Sequence, residues 1–116
     1  MANIAYLLVS VEGEAPEPQR SLIGEYTSAK NLRIDNYITV ELPSRRRERL
    51  RRVKELFASV NRWDVIVVSD LAALGDDIAD VIAVVGDLLE RGVRFIAAKQ
   101  DMDLNGVGDS SSKTAT

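Results

Sequence analysis

A chain of 116 residues, 46% apolar and 28% charged, is long enough for one buried core and too short for two. It holds neither cysteine nor histidine, which excludes disulfides, thiolate nucleophiles, Ser-His-Asp triads and the usual zinc sites together. The net charge of −3 gives no global attraction to nucleic acid, and no run approaches the roughly 18 apolar residues of a membrane span.

The opening "MANIAYLLVSVEGEAP" lacks a basic n-region and a cleavage site, so a cytoplasmic protein is expected. "IAYLLVSV" (4–11) is continuous and apolar, as a buried first strand should be. "PEPQRSLIGEYTSAKN" follows, with Leu22, Ile23, Tyr26 and Ala29 at helical spacing and its prolines confined to the start. "IDNYITVEL" (34–42) predicts a second strand, more polar and so nearer an edge. Pro43-Ser44 then predicts the start of a helix with Leu50, Val53, Leu56, Phe57 and Val60 as its apolar stripe. "WDVIVVS" (63–69) is the most hydrophobic strand. A helix from about Asp76 to Arg91 places Ile78, Val81, Ile82, Val85, Leu88 and Leu89 on one face, with Gly92 as the residue past its end. "VRFIAAK" (93–99) predicts the fourth strand.

After Lys99 the pattern stops, and "QDMDLNGVGDSSSKTAT" reads as a polar loop fading into a flexible tail. The alternation predicts an α/β domain: a three-layer, doubly wound, mostly parallel sheet of four to five strands with helices on both faces. Ligand sites in such sheets lie at the carboxyl ends of the strands. Here those ends carry Ser10 with Glu12 and Glu14, Glu41 to Ser44, Ser69 to Asp76, and Lys99 to Asp103.

Ser10 has two readings, a hydroxyl that caps a turn or a nucleophile. Without histidine, activation would have to come from arginine, lysine or a carboxylate. "YLLVS" at 6–10, Gln19, and "DVIVVSDLAALGDDIADVIAVVGDLLERGVRFIAAKQDM" resemble the catalytic domain of the serine recombinases, the resolvase/invertase family. Tyr6, Val9, Ser10, Gln19, Leu71, Leu74, Gly75, Ala79-Asp80 and Gly92-Val93 all fall in register with that pattern. The resemblance implies that residues 1–106 form a resolvase-like catalytic-type domain, with 107–116 as the tail, and that Ser10 stands at the position of the serine that attacks DNA phosphate.

The departures fall on reactive positions. Leu8 stands where the family has an arginine, Ala72-Ala73 where it has Asp-Arg, and Asp76 where a further arginine is implied. Clustered guanidinium groups stabilise charge on a phosphoryl transition state, and losing one comparable electrostatic donor costs roughly 10²–10³ in rate. The run "RRRERLRR" (45–52) packs six arginines into eight positions. Arg45, Arg47 or Arg49 could occupy the place of the family's remaining arginine. Arg45, Arg46, Arg47 and Arg49 together could grip phosphate or an acidic partner surface, or could be a solvated helix face.

Two weaker patterns remain. "DMDLNGVGD" sets Asp101, Asp103, Asn105, Gly106 and Asp109 at calcium-loop spacing, but Ser112 replaces the bidentate glutamate and Gly108 an apolar position, so no metal is expected. Glu12 or Glu14 with Asp70 and Lys99 could form the acidic pocket of a receiver domain, which would need five βα units where four strands are predicted. The chain as read ends where the family's long dimerisation helix and helix-turn-helix would begin. Self-association is therefore expected to use the basic helix or the exposed face of the helix at 76–91. The expectation is a catalytically inactive recombinase-like domain acting through a protein partner or its own copies. It would have no cofactor, no membrane contact and no small-molecule substrate. The alternative is a DNA-associated domain with residual Ser10-dependent phosphoryl transfer.

Overall fold

The computed structural model describes residues 2–10 and 15–106. The apolar runs become β1 (Asn3–Ser10), β2 (Asn36–Leu42), β3 (Val65–Val68) and β4 (Arg94–Ala97). The helical patterns become α1 (Glu17–Ala29), α2 (Arg46–Phe57) and α3 (Ile78–Glu90), with a 3-10 turn at Leu71–Ala73 leading into α3. A fifth strand, β5 (Met102–Leu104), lies where the sequence predicted only loop. The sheet order is β2-β1-β3-β4-β5; β5 is antiparallel to β4 and the other pairings are parallel. β5 is three residues long, too short to show a period. It exists through its backbone pairing to β4, with Arg94 donating to both Asp103 oxygens at 2.9 and 2.7 Å.

Strand alternation sorts the core into two faces. Tyr6, Leu8, Ile66, Val68, Phe95 and Ala97 face Val53 and Phe57 of α2 and Val84 and Leu88 of α3. Ala5, Leu7, Val65, Val67 and Ile96 face Ile23 of α1. The result is three layers, two helices against one face and one against the other, as the alternation predicted. The more polar β2 is an edge strand, also as predicted.

Three local predictions need correction. Ser44 does not cap α2: Arg45 holds the N-cap position in an extended conformation, and Ser44 lies one residue too early. Val60 is buried but lies past the end of α2 at Phe57. Ile78 and Ile82, expected on the core face of α3, are 76% and 63% exposed. The apolar arc of α3 is wider than its contact with the sheet, and a helical wheel cannot say which edge of the arc faces inward. Asp80 is buried in that first turn instead, at 6% exposure, because Arg46 reaches it from α2.

Guanidinium groups join α2 to α3 at both ends. Arg46 Nε donates to Asp80 at 3.0 Å and its Nη2 to Asp77 at 2.6 Å. At the other end Arg91 Nη2 donates to the Phe57 carbonyl at 2.7 Å and Nη1 to that of Val60 at 3.0 Å, satisfying acceptors at the last residue of α2 and just beyond it. The α3 terminus closes as a Schellman motif: Gly92 N–H donates to Leu89 and Val93 N–H to Leu88, with Gly92 at φ +81°. A Gly92→Ala substitution forces an L-residue into that left-handed conformation. It should cost about 1–2 kcal/mol in a chemical denaturation experiment, with an unchanged m-value.

Candidate functional site

Pairing between β1 and β3 covers only Asn3–Ala5 against Val65–Val67. Beyond it the strands part, at the point where successive crossovers leave β1 in opposite directions and open α/β sheets place their ligands. The parting strips Leu8 of a strand neighbour on that side. Gln19, from α1, fills the gap: its Oε1 accepts from Leu8 N–H at 3.0 Å and its Nε2 donates to the Leu8 carbonyl at 2.7 Å. The Gln19 amide thus behaves as one more residue of β3.

Above this join lies an open cleft of about 510 Å³. Its lining includes Ser10 at the end of β1, Leu42 at the end of β2 with Pro43 and Ser44 after it, Ser69 and Asp70 after β3, Ala72 and Ala73 of the 3-10 turn, and Arg49 of α2. No hydrogen bond engages the Ser10 hydroxyl among the described residues. Leu8 is buried at 3%, with its side chain in the core beside Tyr6 and Phe57, so this position offers the cleft no charge.

The loop after β3 is held by its own polar groups. Asp70 caps the 3-10 turn by accepting from Ala72 N–H at 3.0 Å, and it also accepts from Gln100 Nε2 at 2.8 Å. Gln100 Oε1 in turn accepts from Leu71 N–H at 3.1 Å. The bond from the Ala72 amide, and then that from Gln100, holds the Asp70 carboxyl below its ordinary range. Gly75 makes the sharp entry to α3 possible, since a β-carbon there would sit 2.6 Å from Asp80 Cβ.

Of the four arginines expected to bind an anion or partner, only Arg49 lines the cleft with Ser10. Its Nη1 donates to Asp76 at 2.8 Å and its Nη2 to the carbonyls of Ala72 and Ala73 at 2.9 and 3.3 Å. The guanidinium that lines the cleft with Ser10 is therefore paired with a carboxylate at a position where the resemblance implies an arginine. Arg45, Arg46 and Arg47 line a separate hollow with Glu48, Leu50 and Asp80. The Arg46 bond keeps the Asp80 carboxyl below its usual range.

The chain matches the family model described as "Resolvase, N terminal domain" over residues 3–112. It belongs to that family. Among solved structures, the crystal structure of the N-terminal catalytic domain of TP901-1 integrase superposes with a TM-score of 0.61. The two are 18% identical over 89% of this chain and 81% of that one, a likeness that speaks for the fold. Comparison with curated protein sequences returns no match.

Within the resolvase framework the weaker patterns lose their footing. Asp101 accepts from the Tyr26 hydroxyl at 2.8 Å, and Asp103 is engaged by Arg94, so the two leading carboxylates of the calcium-like spacing already serve the chain's own cations and hydroxyls. Asp109 and Ser112 lie outside the described residues, as do Glu12, Glu14 and the tail from 107. Asp70 and Lys99 do approach, at 3.5 Å, as a receiver pocket would have them. The fifth strand is antiparallel, however, and follows β4 without a helix.

Gln19 is the residue whose part the sequence did not disclose. Its register with the family pattern was visible, but its work depends on the gap between β1 and β3. Gln19→Ala should strand the Leu8 amide and carbonyl and lower stability by about 1–3 kcal/mol in urea denaturation. The Asp80–Arg46 contact has a pH signature of definite sign. A carboxyl with a lowered folded pKa stabilises fully above the unfolded value of about 4, and that contribution disappears as pH falls through the folded value. Arg46→Gln should thus melt below the parent at pH 7, with the difference narrowing below about pH 4 in thermal scans.

Proposed function

We propose that this resolvase-type domain no longer transfers phosphoryl groups and acts by binding, as a protein-interaction or regulatory module. The observation that carries the reading is the state of Arg49. It is the cleft arginine nearest in role to a catalytic guanidinium, and it is paired with Asp76 and two loop carbonyls. A phosphate entering the cleft would have to compete with a carboxylate already in place and would meet its negative charge. Ser10 keeps the nucleophile position, with Leu8, Ala72 and Ala73 supplying no charge around it. Oriented charge aimed at the transition state contributes most of the rate enhancement in such chemistry, and among the described residues of the cleft the arginine that could supply it is paired with Asp76.

A second reading, DNA association with residual Ser10-dependent chemistry, draws on the presence of Ser10 and Arg49 in one cleft and on the exposed Arg45 and Arg47 at the start of α2. Incubation with supercoiled plasmid separates the two. The expected outcome is no nicking and no covalent DNA adduct, with parent and Ser10→Ala indistinguishable on a gel. Nicking that disappears in Ser10→Ala would overturn the binding-module reading. Steeply salt-dependent retention on DNA that is lost when Arg45 and Arg47 become alanine would favour the second, because phosphate contacts release counterions.

A further inference from the structure

The sheet ends in two unlike edges. β5 is three residues long, and Arg94 grips Asp103 across the outermost pair of strands. β2 is seven residues, "NYITVEL", without proline, lysine or a bulge, the devices that usually blunt an edge. Leu8 turns its N–H and C=O toward the β3 side, where Gln19 meets them, so Leu7 and Val9 turn theirs toward β2. With Val9 opposite Glu41 in a parallel register, its bonds reach the flanking Val40 and Leu42. The peptide groups of Tyr37, Thr39 and Glu41 therefore point away from the sheet, and no described strand lies beyond them. Their side chains share the α1 face, with Tyr37 packed near Ala5 and Leu7. Arg20 of α1 stacks on the Tyr37 ring at 4.0 Å. Arg20 and Glu41 are both exposed, and neither meets an opposite charge among the described residues. One unpaired cation and one unpaired anion thus stand at opposite ends of the outward row.

We propose that the free edge of β2 pairs with the same edge of a second copy, antiparallel, about a two-fold axis at Thr39, so that the two sheets become one. In that register Tyr37 opposes Glu41 of the second copy, Ile38 opposes its Val40, and the two Thr39 residues meet at the axis. Outward-facing residues then stand opposite outward-facing residues, and each of their N–H and C=O groups finds a partner. A two-fold contact of this kind is self-complementary, and a strand added at an open edge draws its affinity from main-chain bonds. The charges select the register. Glu41 of one copy comes beside the Tyr37–Arg20 stack of the other, so the lone carboxylate meets the lone guanidinium. An axis at Glu41 would set the two carboxylates against each other, and an axis at Tyr37 the two Arg20 groups. Like charges directly opposite destabilise a strand pair, whereas Thr39 on Thr39 and Ile38 on Val40 are favourable ones. α1 packs over β1 and β3, which leaves Thr39 and Glu41 open to the second copy. One pair of strands makes an interface of the small, reversible class, below about 1,200 Å². The inference rests on the reading of the domain as a binding module, and it names a second copy as the partner.

The absence of cysteine allows a direct test on the full chain. Thr39→Cys places a single thiol at the proposed axis, where the α-carbons of a hydrogen-bonded pair stand roughly 5.5 Å apart, within the reach of a disulfide. Ser28→Cys, exposed on α1, is the control. Under mild oxidation Thr39→Cys should give a disulfide-linked dimer as its main product, and Ser28→Cys should remain largely monomeric. Adding Glu41→Arg to Thr39→Cys should reduce cross-linking by about tenfold, and adding Arg20→Glu as well should restore it. Positions 20, 39 and 41 are all exposed, so the melting temperatures of these variants should stay with that of the parent. A check without thiols uses Arg20→Lys and a carbodiimide, which should give a covalent dimer joined between position 20 of one copy and Glu41 of the other. Equal cross-linking of Thr39→Cys and Ser28→Cys, a dimer yield untouched by Glu41→Arg, or no recovery on reversing both charges overturns the proposal. A chain that neither cross-links at Thr39→Cys nor nicks plasmid overturns the second-copy assignment alone and leaves the loss of catalysis standing.

Discussion

The backbone of Leu8 must find hydrogen-bond partners where β1 and β3 separate, and the cleft depends on how that is done. A buried amide and carbonyl without partners would close the strands or unfold the end of β1, since each costs free energy comparable to a lost hydrogen bond. Gln19 supplies both bonds from α1. The strands can then stay apart, α1 is fixed against β1, and Ser10 is presented at the rim of an open cleft. Leu8 itself packs in the core while its peptide groups face the gap, so one residue serves both the interior and the rim.

The charged groups of the same region hold the helices and the loop before α3 together. Arg49 ties α2 to the loop before α3 through Asp76 and two carbonyls, and Arg46 ties it to Asp77 and Asp80. Charge pairs in solvent contribute little individually, but Arg46 and Asp80 combine a buried carboxylate with a geometry of several bonds. A guanidinium held in this way is a structural clamp. One that stabilises a transition state must keep its charge for the reacting group. Membership of the resolvase N-terminal domain family is compatible with a cleft arginine tied to the chain's own carboxylate, because a scaffold and the chemistry of its site are separate properties.

The face of α3 shows the opposite arrangement. Its inner side packs tightly through Val84, Val85 and Leu88, while its outer side presents isoleucines and a glycine that the domain's own packing leaves unused. Scattered exposed apolar residues are ordinary in proteins.

Much of this protein was legible in the order of its residues. Continuous apolar runs at 4–11, 63–69 and 93–99, separated by helical periods, determine a parallel sheet between helices, because only burial on both faces tolerates such runs. Leu71, Leu74 and Gly75 marked the turn after the third strand, which the structure forms as a 3-10 turn at Leu71–Ala73 leading into α3. The tertiary structure decided what depends on distance between remote residues. It chose Arg49 over its neighbours as the arginine of the cleft, because the turn of α2 directs that side chain toward the loop after β3. It gave Gln19 its role, made a strand of Met102–Leu104, and turned Ile78 and Ile82 outward. Periodicity records that a residue is apolar and where it lies on its own helix. Which side of a wide apolar arc is buried, and which backbone lacks a partner, is fixed only when the other elements are in place.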